Sequence, residues 1–182
     1  GTGTITLSGG ATKTIKTGTN NKFNNLTIDG TVETFSDFDI EIGGVLDVND
    51  SKTLTVVAGD QLTFTGTGSA HTIVGTLTMN TSAGSNSILD FTGSTLNTVV
   101  VDGTLNLNGT DATGQALVTG DANSTVNLSF PNGASGTGAG KFNGNFFTIS
   151  FPDATGFKIT NATEPAMANG IFQNPTAGGI LL

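Results

Sequence analysis

The chain has no cysteine, no tryptophan, no tyrosine, no arginine and one histidine, His71, in 182 residues. Without Cys it has neither a disulfide framework nor a thiolate metal site. Six Lys and no Arg leave little positive charge to set against a phosphate backbone, which all but excludes nucleic acid as a partner. One imidazole is too few for the usual transition-metal sites. The missing Trp and Tyr remove the usual aromatic platforms for sugar rings, leaving Phe alone. Charged residues make up 11%, against about a quarter in an ordinary soluble domain. No run approaches the ~18 apolar residues needed to span a bilayer.

What remains is dominated by three residue types: 33 Thr, 27 Gly and 18 Asn. The net charge is -8 and the pI about 4.2. Between Lys52 and Lys141 no Lys or Arg occurs, and solubility rests on Thr, Asn, Ser and five carboxylates. With 35% hydrophobic residues and a mean hydropathy of +0.07, the chain carries enough apolar surface to fold. Its length suits one domain. The start lacks Met and any charged-then-apolar signal pattern, so we expect a processed or excised start. Few Lys, many Thr and Asn, no Cys and an acidic pI together favour an extracellular or cell-surface protein. Seven N-x-[ST] sequons are present, a small excess over what this composition generates by chance.

Helical periodicity is nearly absent, whereas period-two alternation is explicit. It runs through Thr4–Leu7, Leu26–Ile28, Val45–Val48, Leu54–Val56, Leu62–Phe64, Leu77–Met79, Leu105–Leu107 and Val126–Leu128. Each segment places Leu, Ile, Val or Phe on one face and Thr, Asn or Asp on the other. Only Ala162–Ala168 reads as a short helical turn, and Pro165 limits it.

A short unit, apolar-x-Gly-[Thr/Val]-[Leu/Val]-x-apolar, recurs at Gly30, Gly44, Gly75 and Gly103, with weaker glycine-led copies at Gly59 and Gly93. Imperfect repeats of this size suit a β-solenoid, in which short strands alternate with tight corners built from Gly, Asn and Asp. Phe23-Asn24-Asn25-Leu26-Thr27-Ile28, followed by the G-x-[VL] units, resembles the repeats of large bacterial surface proteins, the filamentous-haemagglutinin-like and related secreted β-solenoids. The resemblance covers roughly residues 23 to 110. It implies a right-handed parallel β-helix, an extracellular address and a structural or adhesive role.

We therefore expect an all-β chain forming a short parallel β-solenoid in three parts. Residues 1–22 read as an N-terminal strand or arm, and 23–130 as about five rungs of solenoid. Residues 131–182 read as a Gly-rich loop, Phe-rich strands that cap the rod, and an apolar tail. The competing fold is an antiparallel sandwich or jelly roll. Asn-Gly at 108–109, 132–133, 143–144 and 169–170 is its hairpin signal.

Candidate chemistry is sparse. His71 could activate a Ser or Thr, yet a polar residue entering a strand explains it as well. Asp37, Asp39 and Glu41 would share one strand face, which reads as a solvated acidic face rather than a glycosidase pair. Calcium is the one metal the residues could hold, through Asp37 and Asp39 or through Asp47 and Asp50, although no calcium-loop motif is present. Thr-x-Thr pairs at Thr53/Thr55, Thr63/Thr65 and Thr76/Thr78 suggest an ordered, ice-binding array, but they start 10 and then 13 residues apart. We expect no enzyme and no required cofactor.

The leading functional expectation is a structural subunit of an extracellular filament, pilus or surface layer that assembles with itself. Low charge makes packing between copies cheap in desolvation, and solenoid ends are open templates. The assembly residues would be Thr4, Ile5, Thr6 and Leu7 at one end and Ile180, Leu181 and Leu182 at the other. The alternative is an adhesin or glycan-binding module of a larger surface protein.

Overall fold

The computed structural model describes residues 3–15, 22–34, 39–92, 97–121, 124, 126–131, 140–150, 152–159, 166–174 and 180–181. Among them there is no helix, and every ladder between strands is parallel. The chain coils, crossing a first, a second and a third face in each turn.

The strands in chain order are β1 (Thr4–Ile15), β2 (Lys22–Phe23), β3 (Asn25–Thr34), β4 (Ile40–Ile42), β5 (Leu46–Val48) and β6 (Thr53–Val56). They continue with β7 (Gln61–Phe64), β8 (Ala70–Ile73), β9 (Thr76–Asn80), β10 (Ser87–Asp90), β11 (Asn97–Val101) and β12 (Thr104–Asn108). The last are β13 (Ala116–Thr119), β14 (Val126–Phe130), β15 (Lys141–Ser150), β16 (Pro152–Ile159), β17 (Ala166–Gln173) and β18 (Ile180–Leu181).

The first face stacks the start of β1, the start of β3, then β5, β8, β11, β14, β16 and β18. The second stacks the ends of β1 and β3, then β6, β9, β12 and the starts of β15 and β17. The third stacks β2, β4, β7, β10, β13 and the ends of β15 and β17. This is the parallel solenoid, not the sandwich.

The described Asn-Gly dipeptides consequently do not make hairpins. Asn108-Gly109 opens a corner, while Asn143-Gly144 and Asn169-Gly170 lie inside β15 and β17. Gly144 is small because a Cβ there would meet the Phe147 and Phe142 rings at 2.6 and 2.9 Å. The pair at 132–133 lies outside the described residues. Ala166–Ala168, expected as part of a helical turn, are strand, because β17 pairs with β15 rather than closing local hydrogen bonds.

One residue column on the first face marks the turns: Ile5, Leu26, Leu46, His71, Val99, Leu128, Phe157 and Ile180. Successive turns therefore take 21, 20, 25, 28, 29, 29 and 23 residues. Part of the growth is in the corner between the second and third faces. It is Val57–Asp60 in one turn, Thr81–Asn86 in the next and Gly109–Gln115 in the one after. In the last two turns a single left-handed residue makes this corner instead, Phe146 (φ 43) and then Asn169 (φ 51).

The alternation explains the core. Leu26, Ile28, Val32, Leu54, Leu62, Leu77, Leu105 and Val118 are all fully or almost fully buried, and the Thr and Asn between them face out. Phe64 lies on Phe91 one turn later with ring centroids 4.5 Å apart and planes 6° from parallel. The Phe-dense segment continues the same ladders: Leu105 pairs with Phe142, and Ala116 with Phe147. Phe130, Phe142, Phe147, Phe157 and Phe172 pack edge-on or tilted, with centroids 4.9–5.7 Å apart, and fill the last two turns.

The glycine repeat marks a corner. Gly75 and Gly103 sit between the first and second faces of successive turns, where a Cβ on Gly103 would fall on the carbonyl oxygens of Val74 and Gly75. Gly30 occupies the same corner, with the start of β3 before it and the end of β3 after it. Gly44 belongs to another corner, between the third and first faces, which is why its sequence spacing breaks the series.

Candidate functional site

His71 is buried at 1% exposure and faces the core. Its Nδ1 accepts the backbone N–H of Leu46 at 3.1 Å, and its ring lies 4.5 Å from that of Phe64. The β5–β8 ladder begins only at Asp47 and Thr72, so the imidazole serves as acceptor for an N–H the ladder does not reach. That is a structural duty, and it leaves the ring sealed from any substrate.

The carboxylates are dispersed. Glu41 forms an ion pair with Lys22 on the neighbouring turn and accepts the Thr65 hydroxyl at 2.7 Å. Lys22 and Thr65 hold its carboxyl below the ordinary range. Asp47 lies half-buried on the first face, where loss of water raises its carboxyl pKa despite a hydrogen bond from Thr72. Asp39 and Asp50 are exposed, and Asp37 lies outside the described residues. Among the described residues no three His, Cys, Asp or Glu side chains gather where they could hold a metal ion. The calcium candidates are thus not brought together into a site.

The expected assembly residues fall on the two ends of one face. Thr4–Leu7 pair with Asn25–Ile28, so they form the outermost rung of the first face rather than an arm. Ile180 and Leu181 pair with Phe157 and Lys158 and form the opposite rung of that same face. Leu182 lies outside the described residues. Ile5 is 47% exposed although the residue stacked on it, Leu26, is fully buried.

The two halves of the N-terminal edge differ. On the second face Lys13 stands in register with buried Val32, and a bulge with Gly9 at φ 121 separates it from the first-face half. A bulge and a charge at a core position are recognised ways of blunting an edge. Thr4–Ser8 carry neither, and pair regularly.

Compared with known proteins, the chain matches no family model, no curated protein and no solved structure. The functional reading therefore rests on this geometry.

One arrangement was hidden by sequence spacing. Thr31, Thr53, Thr76 and Thr104 stack in register on the second face, with Thr55 and Thr78 beside them two residues on. Thr63 and Thr65 fall on the third face and its end instead. The uneven spacing of the pairs arises because one pair belongs to a different face and because turn length changes. Asn side chains extend the pattern: Asn106 donates to Thr78 at 3.2 Å, and Asn143 to Asn106 at 2.8 Å.

Proposed function

We propose that the chain is a non-enzymatic, rigid β-solenoid element of an extracellular or cell-surface structure, and that it assembles with copies of itself end to end. The observation that carries the reading is the open first-face ladder. Its outer rungs, Thr4–Leu7 and Ile180–Leu181, are parallel ends of one stack, each with one edge unpaired among the described residues. An edge of this kind is a template for a further strand. Because the two ends differ, the contact is head-to-tail, and such contacts build open filaments when the rotation does not close.

The N-terminal half-edge guarded by Lys13 gives the contact a direction and a register. The non-enzymatic part of the reading is supported by His71, which is buried and bonded to the Leu46 backbone, and by the dispersal of the described carboxylates. A glycan-binding module would need a groove with convergent polar groups, and apart from the half-buried Phe146 the described Phe rings pack in or against the core rather than forming an outward platform.

Electron microscopy of the purified chain at neutral pH, before and after dilution, tests the proposal. Filaments with a subunit repeat along the solenoid axis that shorten on dilution support it. Uniform short rods at every concentration overturn it in favour of a stalk or binding module.

A further inference from the structure

The second face carries hydroxyls that the fold does not use. Several Thr side chains elsewhere are engaged: Thr65 donates to Glu41, Thr119 to Asp90, Thr113 to Asp111 and Thr148 to Gln115, at 2.7–3.1 Å. Thr81 and Thr110 bond each other at 3.0 Å. On the second face the hydroxyls of Thr31, Thr53, Thr55, Thr76 and Thr104 take no partner among the described residues. Thr55 is only 8% exposed, yet it alternates with the core residues Leu54 and Val56 and so stands on the outer side of β6.

These groups form a grid. Parallel strands put neighbouring hydroxyls of one column about 4.8 Å apart along the stack and columns about 6.6 Å apart along the strand. In a tetrahedral network of O–H···O bonds of roughly 2.7–2.8 Å, second-neighbour oxygens lie about 4.5 Å apart. The spacing along a column is within about 0.3 Å of that value. The outward positions of β6, β9 and the first half of β12 are five Thr and two Asn, Asn80 and Asn106, with no charge, and the face's charges lie on the flanking turns, Glu33 in register with Thr55 and Lys141 with Thr104. The first face has Asp29 and Asp47, and the third has Glu41 and Asp90. A grid whose three central turns carry no charge does not suit an ionic mineral, and with no aromatic ring among its described outward residues it gives sugar rings nothing to stack on. An uncharged lattice of hydrogen-bonding oxygens fits both its chemistry and its spacing.

We propose that the second face binds ice, with the Thr53/Thr55, Thr76/Thr78 and Thr104/Asn106 pairs as its centre. The methyls order the adjoining water, and the free hydroxyls anchor it at lattice spacing.

The test uses the intact chain, ice crystals in buffer, and two variants. Thr76→Lys puts a charge at the centre of the grid, and Thr27→Lys puts the same charge on the first face. The intact chain should open a gap between melting and freezing temperatures and slow recrystallisation in frozen sucrose films. Thr76→Lys should lose both effects while keeping its strand circular dichroism and melting transition, and Thr27→Lys should retain them. No effect of the intact, folded chain on ice overturns the proposal. Equal loss in both variants also overturns it, as does lateral pairing of copies through this face. End-to-end assembly does not use the face and is unaffected by either result.

Discussion

Ile5 and Ile180 end the same residue column, one at each end of the first face. Between them the column runs through seven turns of parallel ladder without changing face. The relationship matters because the two ends are chemically continuous but not equivalent, as head-to-tail growth requires.

His71 should be needed for folding stability rather than for any reaction. Replacing it with Leu keeps the volume but leaves the buried Leu46 N–H without its acceptor. An unsatisfied buried donor costs about 1–3 kcal/mol. Urea unfolding followed by circular dichroism should show the midpoint falling with little change in slope.

Two acidic residues should respond to pH with opposite sign. Glu41 is depressed below 4.5, so its stabilisation is present above that value and is lost as pH falls through its folded-state pKa. Asp47 is raised above 3.8, so it opposes folding above its folded-state pKa, and that penalty vanishes in acid. Glu41→Gln should therefore lower the thermal midpoint at pH 7, and Asp47→Asn should raise it. Both differences should be smaller at pH 3 than at pH 7. Melting curves at the two pH values check the signs.

The corner glycines should tolerate substitution unequally. Gly103→Ala drives a methyl into the Val74 and Gly75 carbonyls of the previous turn and should prevent or severely weaken folding. Gly10→Ala meets nothing within 4 Å, and its effect should stay within about 0.5 kcal/mol. Expression followed by thermal melting separates the two.

Phe146 holds the left-handed conformation that Asn169 holds one turn later. Asn adopts this conformation far more readily than a bulky aromatic residue does. Among the described residues Phe146 makes no ring contact with the five-ring cluster, so Phe146→Asn should be neutral or stabilising by up to about 1 kcal/mol. A drop of the thermal midpoint would show that the ring has a packing role.

Much of the fold was legible in the sequence, and the reason is visible in particular strands. Leu54-Thr55-Val56 and Leu105-Asn106-Leu107 alternate cleanly because one side is core and the other is water. The glycine repeat was legible because backbone passes over backbone at one corner, and Gly44 misled because another corner has a related need. The Asn-Gly pairs pointed toward hairpins, since the same dipeptide serves left-handed geometry at Asn169 and close ring packing at Gly144. The Thr-x-Thr pairs were legible, but which of them stack into a grid was not. Which residues stack depends on how long each intervening corner is, and Thr81–Asn86 and Gly109–Gln115 carry no signal of how far they carry the chain. His71 was equally opaque, because its partner is a backbone N–H 25 residues away.

The most direct test of end-to-end assembly is sedimentation velocity over a wide concentration range, on the intact chain and on Ile5→Lys. Lys at that position places a charge on the unguarded half of the N-terminal edge, as Lys13 already does on the other half. The account predicts that the intact chain sediments as concentration-dependent polymers and that Ile5→Lys sediments as a single folded monomer. Polymers of equal size from both chains, or an intact chain that stays monomeric throughout, would contradict it.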